Sequence, residues 1–148
     1  MNIRLATIND IEKIAENNIL LAKESENLDI SYNTAVDGVK SILSEKNKGF
    51  YIVAEDNEDL LGELMITYEW SDWRSKNMWW IQSAYVKKSY RRKGVFKKLV
   101  NETRKMADKK GIDIIRLYVH NNNKDAMKVY EKIGMNKHYS VYEFPIKI

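Results

Sequence analysis

Residues 79–90 read Trp-Trp-Ile-Gln-Ser-Ala-Tyr-Val-Lys-Lys-Ser-Tyr, and residues 91–99 continue Arg-Arg-Lys-Gly-Val-Phe-Lys-Lys-Leu. The first half carries aromatic and β-branched side chains with neither Pro nor Gly, which is the composition of a strand. The second half is a basic turn holding one glycine, followed by apolar residues at helical spacing. A strand that passes through such a turn into a helix leaves backbone N–H groups pointing beyond the helix start, where the helix dipole favours an anion. Arg91, Arg92, Lys93, Lys97 and Lys98 surround that point with positive charge. The stretch reads as a site for a phosphorylated ligand; taken alone, the same charges also describe a solvated basic face.

The run Tyr90-Arg91-Arg92-Lys93-Gly94-Val95 resembles the acetyl-CoA-binding motif of the GNAT N-acetyltransferases, in which Gln or Arg is followed by two residues, Gly, one residue, and Gly or Ala. Arg91 and Gly94 match. Phe96 stands where the small residue belongs, so its ring is expected to turn away, into the core. By this resemblance the N–H groups of Lys93, Gly94, Val95 and Phe96, with Arg92 and Lys97 beside them, meet the pyrophosphate of acetyl-CoA. The resemblance also implies a bulge near the end of the preceding strand, expected at about residues 83–86, that splays two strands apart. A backbone N–H of Ala84 or Val86, flanking Tyr85, then meets the thioester or the pantetheine arm.

The chain has 148 residues, 44% hydrophobic and 31% charged, which suits one domain over 1–148 with a fair core. It contains no cysteine, so disulfides, thiolate nucleophiles and Cys-based zinc sites are excluded. With His120 and His138 as its histidines, no metal is expected. No apolar run reaches the length of a membrane span, and Met1-Asn2-Ile3-Arg4 leads straight into a strand pattern; a cytoplasmic protein is the simplest expectation. The net charge of +4 is too small and too mixed to argue for nucleic acid. Acids gather in the first third and bases in the middle, a split that suits a cationic substrate and a polyanionic cofactor, or simply solubility.

Along the chain, residues 2–6 form a short strand and Thr7 or Asn9 caps a helix ending near Ser25. Ile11, Ile14, Ala15, Asn18 and Leu21 share its apolar side. A second helix follows Asn33 or Thr34. Strands are expected over 50–54, 60–70 and 78–86, the first two joined by a turn at Asp56-Asn57-Glu58-Asp59. Gly62 inside the second of them signals a bulge or a close backbone approach. A long helix spans 94–110 and ends at Gly111. A strand over 114–119, a short helix over 124–133 and a last strand over 139–144 complete the order β-α-α-β-β-β-α-β-α-β. This is a mixed α/β (α+β) fold, one sheet with helices on its faces. It resembles the acyl-CoA N-acyltransferase (GNAT) fold, whose central sheet is mostly antiparallel, over nearly the whole chain.

Asn123, Ala126 and Tyr130, followed by Glu131-Lys132-Ile133-Gly134-Met135, resemble the family's second cofactor motif in full. The resemblance implies that the Tyr130 hydroxyl gives a proton, or a hydrogen bond, to the departing thiolate. Asn123 also fits a plain helix cap, uncertain by one residue within Asn121-Asn122-Asn123.

Acyl transfer to an aliphatic amine also needs a base, because the amine arrives protonated near neutral pH. Many relatives carry a Glu where this chain has Gln82, which can orient a water or a substrate amide but cannot take a proton. The remaining candidates are Glu24, Glu26, Glu63, Glu69 and Asp72, each also readable as a surface carboxylate. Trp70, Asp72 and Trp80, in an aromatic-rich hairpin, and Glu24 and Glu26, near the end of the first helix, are the expected contacts for a cationic amine; the aromatics would equally suit a homodimer interface. The resulting expectation is acetyl transfer from acetyl-CoA to a small-molecule primary amine. Peptide N-acetylation and a non-catalytic acyl-CoA-binding module are the alternatives.

Overall fold

The computed structural model of the chain describes residues 1–147, which form two compact units, 1–117 and 118–147. The first unit is built on a five-stranded sheet in sequence order. Its strands are β1 (Asn2–Leu5), β2 (Gly49–Asp56), β3 (Asp59–Ser71), β4 (Lys76–Val86) and β5 (Ile115–Arg116). The first three pairings are antiparallel and β4–β5 is parallel, as a chain crossing over through a helix requires. The expected mixed fold with a mostly antiparallel sheet is what the chain adopts.

Side chains alternate across the sheet, and each face has its own cover. Tyr51, Val53 and Leu60 pack with Ile14 and Ala15 of α1 (Ile11–Glu26) and with Ala35, Val39 and Ile42 of α2 (Tyr32–Ser44). The opposite set, including Ile52, Leu64 and Ile66, is fully buried on the face where α3 (Val95–Lys109) lays Leu99 and Thr103. Trp79 and Trp80 separate as strand geometry demands. Trp79 is buried with its ring edge-on to Phe50 at 5.1 Å, while Trp80 stands on the other face and donates Nε1–H to Glu69.

Local signals placed most boundaries. Thr7 and Asp10 form a reciprocal capping box around a 3-10 turn (Ile8–Asp10) that leads into α1. Asp10 is also gripped by Arg4 at 2.8 and 2.9 Å, and Arg4 reaches on to Glu55 at 2.7 Å. The hairpin turn lies where expected, with Asn57 and Glu58 both at positive φ, the form that matches strand twist. The α2 cap is Ser31, not Asn33 or Thr34: its hydroxyl accepts from Thr34 N–H at 3.2 Å, so the helix begins earlier.

Gly62 fulfils both of its expectations. The register slips beside it, between Ala54 and Glu55, and a Cβ built on it would lie 2.7 Å from the Tyr85 carbonyl oxygen and 3.1 Å from Val86 Cγ2. Gly62→Ala therefore forces β3 from β4 at the end of the pairing. We expect a loss of about 1–3 kcal/mol, read as a lower urea midpoint with an unchanged m value.

Two expected strands changed. The one over 114–119 contracts to Ile115–Arg116, pairing only with Trp79 and Trp80. Two residues later β4 bulges and bends, which ends the parallel pairing. Residues 139–144 form no strand. Their alternation is suitable, but a strand needs an edge to hydrogen-bond, and residues 118–147 contain no second strand to supply one.

The second unit holds α4 (Lys124–Lys132). Asn123 is its cap, with Oδ1 accepting from Ala126 N–H at 3.2 Å, which resolves the choice among the three asparagines. Met135 N–H returns to Tyr130 C=O at 3.0 Å and closes the helix end.

Candidate active site

The site starts from an irregularity in β4. Met65 pairs with Ser83 but Ile66 pairs with Ile81, so Gln82 is the extra residue of a bulge. It lies one residue before the expected 83–86 window, within which Ser83, Ala84, Tyr85 and Val86 are regularly paired to Met65, Leu64, Glu63 and Gly62. Lys87 N–H donates to Leu61 C=O on β3 at 2.9 Å. Strand alternation then turns the N–H groups of Ala84 and Val86 to the opposite edge. That is the side on which β5 has already ended, so no β5 residue faces β4 from Gln82 onward. The result is an open strand edge lined by main-chain donors.

The same edge leads into the basic turn. Tyr90 and Lys87 anchor the turn to the β2–β3 hairpin by hydrogen bonds to Asp59 at 3.3 and 2.6 Å. Arg92 takes a positive φ of 62°, and Gly94 follows at φ 80° as the cap of α3. A Cβ on Gly94 would meet nothing within 4 Å; glycine is needed there for its conformation, not for space. No side chain caps α3, and its first internal bond runs from Lys98 N–H to Gly94 C=O. The N–H groups of Val95 and Lys97 are thus presented beyond the helix start, with Arg92, Lys93, Lys97 and Lys98 exposed around them. The Val95 side chain is buried and Phe96 is half-buried. This chemistry fits a phosphate.

Arg91 behaves differently from its basic neighbours. Its Nε–H donates to Val86 C=O at 2.8 Å, and its Nη2 donates to Glu24 at 2.6 Å, with the guanidinium 5.4 Å from the Tyr85 ring centre. Tyr85 itself is buried and donates its hydroxyl to the other Glu24 oxygen at 3.1 Å. Glu24, expected to meet substrate, is instead tied to Arg91 and Tyr85. Burial pushes its carboxyl up, but these partners outweigh that and hold it below the usual range.

The expected acid and base candidates separate by environment. Glu69 accepts from Trp80 Nε1–H at 3.0 Å and from Arg116 at 2.7 Å, so both oxygens are engaged and it serves as a clip. Gln82 is exposed and meets the Thr67 hydroxyl at 3.3 Å. Glu26 is exposed at the end of α1. Trp70 and Asp72 are exposed at the far end of the β3–β4 hairpin. Trp70 pairs with Asn77, which is about 17 Å of strand from Gln82, so neither residue is brought to the bulge.

Glu63 stands apart. It is fully buried on β3 opposite Tyr85 and accepts from Asn17 Nδ2 of α1 at 2.8 Å; its second oxygen has no partner. Burial pushes its pKa up to about 8, against the opposing pull of Asn17 and Lys87. Next to it, Asn18 donates to the Tyr51 hydroxyl at 3.1 Å and leaves its own carbonyl oxygen buried without a donor. The sequence reading missed Asn17 and Tyr51. The signal was present in Asn18, a polar residue within the apolar stripe of α1.

In the second unit, Asn123, Ala126 and Tyr130 lie on one face of α4 at i, i+3 and i+7. Burial raises the Tyr130 phenol above its ordinary value, so it carries its proton at neutral pH. Among the described residues, no group of three or more His, Cys, Asp or Glu is arranged to hold a metal, and no helix is long and apolar enough to cross a membrane.

Comparison with known proteins agrees with this geometry. A bovine thialysine N-epsilon-acetyltransferase (Bos taurus) is 31% identical over 75 residues, which cover 51% of this chain and 44% of the relative; the chain thus matches less than half of that relative's length. The crystal structure of a possible acetyltransferase from Clostridium difficile 630 superposes with a TM-score of 0.91 at 40% identity, covering 99% of this chain and 98% of that one. An aminoglycoside 6′-N-acetyltransferase of Acinetobacter haemolyticus shares the fold, with a TM-score of 0.83 at 17% identity over 100% and 99% of the two chains. The acetyltransferase (GNAT) family profile matches residues 13–135, a span that contains the bulge, the basic turn and Tyr130. The chain belongs to the acetyltransferase (GNAT) family.

Proposed function

We propose that the protein transfers an acetyl group from acetyl-CoA to a primary amine of a small molecule by direct attack. The observation that carries this reading is the pair of main-chain donor sets, the open-edge N–H groups of Ala84 and Val86 and the uncapped start of α3. The first part suits an amide-bearing arm and a carbonyl that gains negative charge, and the second suits a pyrophosphate. Acetyl-CoA supplies the activated acetyl thioester.

Each residue then has a task. Arg92, Lys93, Gly94, Val95, Phe96 and Lys97 receive the phosphates through main-chain N–H groups and charge. Ala84 and Val86 orient the reacting carbonyl. Tyr130, neutral because its phenol is raised, protonates the departing sulfur. Gln82 orients a water or the incoming amine. Glu63 is the base: with a pKa near 8 it is better matched to an ammonium proton than an exposed carboxylate is. Because it is fully buried, the proton reaches it through water. A small amine as acceptor is supported by the bovine relative, whose name specifies an ε-amino group.

The test is CoA thiol release from acetyl-CoA in the presence of thialysine, lysine, polyamines and N-terminal peptides, alongside titration of CoA binding. Thiol release with a small amine is the expected result. Release only with peptides moves the activity to protein N-acetylation. Binding without release with any amine leaves a non-catalytic acyl-CoA-binding module.

A further inference from the structure

The charges around the basic turn are not equivalent, and Glu24 makes the difference. It lies in the last turn of α1, yet its carboxylate reaches three groups of the β4 edge and the turn after it: Arg91 Nη2 at 2.6 Å, the Tyr85 hydroxyl at 3.1 Å, and Lys88 Nζ at 3.8 Å. Arg91 is at the same time anchored by its Nε–H on Val86 C=O and by the Tyr85 ring beneath it. A guanidinium has five N–H donors. The contacts to Val86 and Glu24 leave the remaining donors in a fixed plane beside Val86, at the open edge of β4.

Resting on the acetyl-CoA reading above, we propose that Glu24 is a positioning residue for the cofactor: it holds the Arg91 guanidinium against the open edge of β4 so that its spare N–H groups are pre-set for an oxygen of the incoming ligand. Two effects oppose each other here. As an anion, Glu24 repels phosphate, and this part fades with salt. As a clamp, it removes rotamer freedom that Arg91 would otherwise lose on binding. The close contacts on both carboxylate oxygens make the clamp the larger effect.

Three variants separate the effects when CoA affinity is measured by titration calorimetry at physiological salt. Glu24→Ala removes both clamp and charge and is expected to weaken CoA binding about three- to tenfold. Glu24→Gln keeps an acceptor for Arg91 and a partner for Tyr85 while losing the charge, and it is expected to bind CoA as tightly as the wild type or more tightly. In an Arg91→Ala background, Glu24→Ala is expected to cost nothing further, because the partner through which it acts is gone.

Other outcomes overturn the proposal. Tighter binding by both Glu24 variants means that only charge matters. Equal weakening with and without Arg91 means that Glu24 merely supports the fold, and a matching fall in thermal midpoint would agree. If the wild type binds CoA and Glu24→Ala binds it unchanged, the clamp fails while the cofactor reading stands. If the wild type does not bind CoA, both fall together.

Discussion

Glu63→Gln is expected to lower kcat by about 10²–10⁴-fold while leaving the affinity for CoA within twofold of wild type, because the change removes a proton acceptor and little volume. The wild-type rate should rise with pH through about 8, as the buried carboxyl loses its proton, and this limb should vanish in the variant. Stability gives an independent readout. The folded-state pKa lies above the ordinary carboxylate value of 4.5, so between pH 4.5 and about 8 the native chain keeps a proton that the unfolded chain has released. The contribution of this group is therefore fully present below pH 4.5 and is lost as pH rises towards 8. The variant, which cannot ionise, should match the wild type near pH 5 and exceed it by a few kcal/mol at pH 9. Asn17 and Lys87, which favour the charged form, and Asp10, which opposes it, set where the crossover falls. A full rate in Glu63→Gln would remove Glu63 from the chemistry. A lost rate with an unchanged pH profile would make it a structural residue.

Tyr130→Phe is expected to reduce kcat by about 10²-fold with little change in KM for either substrate, because the proton donor to the leaving sulfur is lost. Since burial raises the phenol above its ordinary value, wild-type activity should show no alkaline fall from this group below pH 10. Acetyl thioesters of more acidic thiols leave without help and should narrow the gap between the variant and the wild type. The variant keeps both ends of α4, since its cap is the Asn123 side chain and the closing bond from Met135 uses the Tyr130 main chain. An equal loss with every thioester would exclude the acid role.

The expected and observed structures diverge in a physically consistent way. What is written within a few residues was legible. The strand over 78–86, the turn with Gly94, the helix ending at Gly111 and the Asn123 cap rest on side-chain period, φ preference and local hydrogen bonds, none of which needs a distant partner. The same holds for Gly62, whose lack of a side chain signalled a close approach before its neighbour was known.

The tertiary structure decided everything set by a partner far away in sequence. Asn17 and Glu63 are 46 residues apart, and Glu24 and Arg91 are 67 apart. Only folding turns one acidic residue into a buried carboxyl titrating near 8 and another into a clamp for an arginine. The bulge is a register fact, fixed when Ile66 met Ile81 and Met65 met Ser83, and no residue in β4 announces its position. That same register put Trp70 and Asp72 at the wrong end of the hairpin for the site. The segment 139–144 has the alternation of a strand, but alternation states which faces a segment could show, not which edge will receive it. Sequence by itself determined the family, most of the elements and the places of the two family motifs, because each is local. Burial, register and pairing determined which carboxylates are free to act, because a charge takes its properties from what surrounds it in space.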